Sequence, residues 1–246
     1  MLDLPLYVPL TFGMVVILTL LLFHTALVRA VGVRRAVAIT AGLLLWTVAQ
    51  SLVTLRGFYQ ENLDTLPPRF AWVIGPPLVI IAGLLLLPNG RRLVDQLSMV
   101  SLTYLHTVRI PVEIVLYWLY LHQTIPQLMT FAGQNFDIFA GITAPFVAYL
   151  GIRRGQLNRT VLIIWNLAAL ALLLFIVINA ILSAPTPLQR LAFNQPNVAI
   201  FYFPFILLPA VVVPIVLFSH LACLRQLWFQ STSKDLGRQA GQATLR

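Results

Sequence analysis

The chain has 246 residues, of which 59% are hydrophobic and only 9% charged, with a formal net charge of +9 and a single cysteine. Soluble domains carry about 25% charged residues, and a fold of this size still exposes much of its surface to solvent. The composition therefore excludes an ordinary soluble enzyme, a disulfide scaffold and a disordered chain, and it predicts an all-α, polytopic integral membrane protein.

About 20 consecutive apolar residues cross the hydrocarbon core of a bilayer. The first such stretch is predicted at 8–28, with His24 near its end and Arg29, Arg34 and Arg35 following. Met1 to Pro5 carry no basic residue, so no cleaved leader is expected. The second stretch, 36–55, leads to Arg56, Glu61, Asp64 and Arg69. The third, 70–87, contains the pair Pro76-Pro77 and ends before Arg91 and Arg92.

The fourth stretch, 97–121, is unlike the others. His106, Arg109, Glu113, Tyr117 and Tyr120 recur at intervals of three and four, which places them on one helical face. A charge at mid-bilayer costs at least about 2.5–3.5 kcal/mol, so Arg109 and Glu113 are expected to face the bundle interior. At i and i+4 they are expected to pair with each other. Pro111 lies between them and is expected to kink the helix. Two readings of this face compete. One is a structural ion pair that does nothing else. The other, favoured because ionisable groups inside a membrane are costly to keep, is a binding pocket or ion relay.

Beyond the fourth stretch, His122 and the loop ending in Asp137 add polar groups, and a fifth, shorter stretch follows at 138–152. The sixth, 161–182, starts after Arg153, Arg154 and Arg159 and carries Asn179 near its far end. The connection that follows contains Arg190 and Asn194. Both polar loops are rich in Asn, Gln, Pro and Phe, which predicts caps packed onto the bundle rather than floppy linkers. The seventh stretch, 198–224, carries Pro204, Pro209 and Pro214, then His220 and Cys223. Residues 1–229 are read as one transmembrane domain and 230–246 as a polar, disordered cytoplasmic tail.

Twelve basic residues fall on one side of these seven spans and three on the other, with Arg109 left inside. By the positive-inside rule the N-terminus is outside and the C-terminus cytoplasmic. The lipid bilayer is the expected surrounding, a bacterial inner membrane the expected location, and nucleic acid is not an expected partner. A homo-oligomer or a membrane partner is compatible with the layout.

Three functions follow. The leading one is a small-solute or ion transporter or channel. Its pocket opens to the outer face and is built from His106, Arg109, Glu113, Tyr117, His122, Asp137, Asn179 and Asn194. The second is a seven-helix receptor or accessory subunit that binds a ligand or partner through its outer loops. The third is a haem- or metal-binding membrane enzyme. His24 and His220 lie at similar depth and suit axial ligation of haem b, or join His106 around a divalent metal. Otherwise no enzyme is indicated, since no Gly-x-Ser-x-Gly, P-loop or dinucleotide fingerprint occurs. Lys234, the one lysine, lies in the tail, which excludes a retinal Schiff base in the last span.

Overall fold

A computed structural model describes the backbone of residues 2–243 and the side chains of residues 2–229. The expected disordered tail, 230–246, falls on residues whose side chains lie outside this description. Among the described residues the protein is all helical, with no strand. Five helical segments are long and apolar enough to cross a membrane: Tyr7–Val31, Val33–Leu55, Met99–Leu121, Arg159–Ser183 and Leu208–Phe229.

Helices α1 (Tyr7–Val31) and α2 (Val33–Leu55) form a hairpin across Gly32, whose φ of +80° suits the glycine that ends one helix and begins the next. The third stretch becomes α3 (Ala71–Leu86) and α4 (Pro88–Gln96), bent by 88° at Leu87. If that pair counts as one crossing, six segments qualify. The fifth predicted stretch is the short α7 (Asp137–Phe146) continued by a π-helical turn, Val147–Arg153. It lies outside the qualifying set. The sixth is an uninterrupted α8 (Arg159–Ser183), started by the Asn158 side chain capping Val161 N–H.

Prolines explain where helices depart from expectation. Pro111 cannot donate to the carbonyl of Thr107. The chain answers with a 3-10 turn over His106–Val108, which divides the fourth stretch into α5 (Met99–Leu105) and α6 (Arg109–Leu121). The irregularity at Pro111 thus takes the form of a 3-10 turn one turn upstream, at the acceptor rather than at the missing donor. The seventh stretch is not helical from its start. Residues 198–207 make a 3-10 turn and irregular backbone, and a π-helical turn, Leu208–Val212, leads into α9 (Val213–Ala243). Pro214 leaves the Ala210 carbonyl without its helical donor, and Trp46 Nε1–H of α2 donates to it at 2.9 Å.

The core lies between α1, α5, α6 and α9 and contains Phe12, Leu27, Leu102, Leu105, Leu119 and Ile206, all nearly inaccessible. Helix α2 is peripheral and buries only Ala36, Gln50 and Thr54. The two polar loops do interlock as caps. Thr124 accepts from Val198 and Ala199 N–H, while Gln195 Nε2 donates to the Tyr120 and Ile125 carbonyls. At the opposite end Gln226 donates to the Val94 and Leu97 carbonyls, and Arg225 forms a bidentate pair with Asp95.

Candidate functional site

The polar face of the fourth stretch is buried in the bundle. His106, Arg109 and Glu113 are 0%, 3% and 1% exposed, and Asp137 is buried beside them at the start of α7. The expected Arg109–Glu113 pair does not form. Arg109 Nη1 instead lies 3.2 Å from Asp137 Oδ1 and donates a hydrogen bond to the Ala169 carbonyl of α8. Glu113 Oε1 accepts a short hydrogen bond from Asn135 Nδ2 in the loop before α7. The reason is geometric. Gly141 lets α7 press against the α5–α6 junction: a Cβ there would meet Ile110 Cγ1 at 2.9 Å and Arg109 Cβ at 3.2 Å. Asp137, one turn before Gly141, is thereby brought onto the guanidinium.

Asn135 organises the carboxylates from the loop. Its amide nitrogen also donates to the Met129 carbonyl, and its carbonyl oxygen accepts from Asp137 N–H at 3.0 Å. On the other side of Arg109, Nη2 lies 3.0 Å from His220 Nε2. A guanidinium only donates, so Nε2 is an acceptor and the proton of His220 sits on Nδ1. That Nδ1 lies 3.1 Å from Asn166 Oδ1, and Asn166 Nδ2 donates to the Leu162 carbonyl. The direction of every donor from Arg109 through His220 to Asn166 is therefore determined.

His106 belongs to this cluster by stacking, not by hydrogen bonding. Its ring lies on His220 with centroids 3.8 Å apart and planes 17° from parallel, and Trp165 flanks both rings. Neither ring nitrogen of His106 has a hydrogen-bond partner among the described residues, nor have Arg109 Nε and Glu113 Oε2.

The haem and metal expectation does not fit. His24 Nδ1 is held by Thr40 Oγ1 at 2.8 Å between α1 and α2. A bis-histidine haem takes one ring nitrogen from each side of its plane, whereas the rings of His106 and His220 are face to face with no gap for a porphyrin. Among the described residues no group of three or more His, Cys, Asp or Glu side chains could hold a metal ion. His24, His106 and His220 are thus not one ligand set.

The remaining expected residues divide. Tyr117 lies further along α6 and stacks on Phe131 of the loop, 4.9 Å between centroids. His122 is half-buried at the end of α6, and Asp137, its expected partner, is committed to Arg109. Asn194 is exposed on the outer connection. Asn179 is buried near the end of α8, with its Nδ2 lacking a hydrogen-bond partner. Asn135, Asn166 and Trp165 are members of the site that sequence reasoning passed over. Asn166 had left a signal, as an amide within an otherwise apolar stretch.

A cavity of about 250 Å³ lies against this cluster, between α3, α6, α8 and α9. Among the described residues Glu113 and Asp137 carry the only polar side chains on its wall; the rest is aliphatic, aromatic, proline or methionine. A family model described as a domain of unknown function (DUF8737) matches residues 67–228, from just before α3 into α9. No curated protein matches the chain, and no solved structure does.

Proposed function

The chain belongs to the DUF8737 family, and from the geometry of its buried cluster we propose that it is a membrane transporter or channel for a small solute or ion. The proposal takes the fold as seven crossings with the N-terminus outside and the C-terminus in the cytoplasm of a bacterial cell. Its binding groups are the carboxylates of Glu113 and Asp137, with Arg109 holding Asp137 in place and Asn135 orienting Glu113.

One observation carries this reading: among the described residues two carboxylates are the only polar side chains on an otherwise apolar cavity wall, and the nearby guanidinium pairs with only one of them, Asp137. A carboxylate in hydrocarbon is balanced by a cation or by a proton. Asp137 has its cation in Arg109. Glu113 has only an amide, and its second oxygen has no hydrogen-bond partner. Glu113 is therefore the group able to take and release a charge, and the cavity is the space in which a solute meets it. The His220–Asn166 arm holds the other side of the guanidinium and keeps Arg109 from swinging toward Glu113.

The test is flux in proteoliposomes, with methylammonium and protons as probes. Glu113→Gln keeps the shape and the Asn135 contact but cannot change charge. Flux of at least one probe is expected in the wild type and is expected to fall at least tenfold in this variant. Flux equal to wild type would remove Glu113 from the mechanism.

A further inference from the structure

The apolar cavity continues to a mouth. A second hollow of about 280 Å³ is lined by Pro68, Ala71 and Gly75 on one side and by Ala184, Thr186 and Leu188 on the other. It shares Phe70, Ile74 and Ile181 with the first. The two make one groove between α3 and α8, leading from the start of α3 to the carboxylates. Its rim is apolar and open along the helices, since Leu78 of α3 and Leu174 of α8 are 43% and 44% exposed. Gly75 borders the outer hollow, and a Cβ at that position would meet no atom within 4 Å, so a larger side chain has open space to enter.

The walls of this passage are mostly apolar, with the carboxylates gathered at its inner end, which suits an alkyl tail joined to a charged head. Charge and size narrow the occupant further. Arg109 is taken up by Asp137, the Ala169 carbonyl and His220, which leaves Glu113 without a cation, so the inner end favours a cationic head. The inner cavity of about 250 Å³ is below the range of about 300–1,000 Å³ typical of sites for drug-sized ligands. The seat beside Glu113 thus suits the head and first methylenes of one alkyl chain, with the tail running out along the second hollow.

We propose that the groove between α3 and α8 admits a single-chain amphiphilic amine from the bilayer and seats its ammonium head at Glu113. The inference rests on Glu113 and Asp137 being the binding groups of the proposed transporter, and it names their substrate class. Glu113 is 1% exposed and lines the cavity with an oxygen that lacks a hydrogen-bond partner, as an acceptor awaiting a donor would.

The test is equilibrium binding to the full chain in nanodiscs, with empty nanodiscs subtracted. The probes are radiolabelled dodecylamine, with methylammonium and dodecanoate as competitors. Dodecylamine is expected to bind, methylammonium to compete at least a hundredfold more weakly, and dodecanoate not to compete. Gly75→Phe fills the groove and is expected to weaken dodecylamine at least tenfold with an unchanged melting temperature. Gly75→Leu, a strong helix former, is a second plug should the phenylalanine variant fold poorly. Wild-type dodecylamine binding by a folded plug variant, or equal competition by methylammonium, would overturn the lateral route and the amphiphile. If methylammonium flux still depends on Glu113 in that case, the transporter reading stands alone. Dodecylamine binding unaffected by Glu113→Gln overturns the inference, while the flux assay judges the transporter reading separately.

Discussion

Arg109 shows how one side chain organises a buried site. It answers Asp137 with charge, the Ala169 carbonyl with a hydrogen bond and His220 with another. Breaking a buried pair from one side leaves an uncompensated charge, which costs about 3–5 kcal/mol. Arg109→Met is expected to lose about that much, read as a lower denaturation midpoint in detergent. Removing both charges is far milder, since an apolar pair of similar volume is often neutral. The double variant Arg109→Met/Asp137→Leu is therefore expected to recover most of the loss. If the double variant is as unstable as the single, the ion pair is not what Arg109 contributes. The sequence made both residues visible as candidates but not as partners. Glu113 at i+4 was the natural neighbour of Arg109 on a regular helix, and the guanidinium instead turned to a carboxylate 28 positions away.

At the scale of the element, the close approach of α7 decides that choice. Gly141 and Asp137 are four residues apart and share a face of α7. With no Cβ at 141, the α7 backbone comes near enough to the Arg109–Ile110 segment for the carboxylate to reach the guanidinium. Gly141→Leu is expected to separate the elements and cost about 1–3 kcal/mol, the usual range for overpacking. Thermal unfolding measures this, and Gly42→Ala is the control. Gly42 lies in α2 with open space around it, so alanine is expected to leave stability unchanged or raise it by up to about 1 kcal/mol. A neutral Gly141→Leu would mean that α7 does not depend on close contact. The proline-driven breaks act at the same scale. The 3-10 turn at His106–Val108 follows from Pro111 and divides the stretch into two helices without taking His106 or Glu113 out of the buried interior.

For the whole molecule, the proposed crossing order is tested by accessibility. Cys223 is buried, and Cys223→Ser provides a background for single cysteines at exposed loop positions. Gln134→Cys and Asn194→Cys are expected to react with a membrane-impermeant maleimide in intact cells. Gln156→Cys is expected to react only after permeabilisation. Labelling of Gln156→Cys in intact cells would reverse or break the proposed order. The loop pair bearing Gln134 and Asn194 is held together by backbone and amide hydrogen bonds through Thr124 and Gln195. That side of the molecule is thus a cap tied together by these bonds.

Composition alone determined that this chain is helical and rich in segments able to cross a bilayer, because hydrophobicity is a local property that each stretch carries by itself. Periodicity likewise put His106, Arg109 and Glu113 on one face, and the rarity of charge inside apolar stretches marked that face before any fold was known. Tertiary structure decided who meets whom. Asp137 takes the guanidinium because α7 packs through a glycine, His220 stacks on His106 from 114 positions away, and Asn135 claims Glu113 from a loop. Such pairings depend on how helices cross and where loops return, and no local pattern records that. The histidines make the same point. Similar depth in two spans suggested a shared ligand, but helix packing gave His24 to Thr40 and His220 to Arg109 and Asn166.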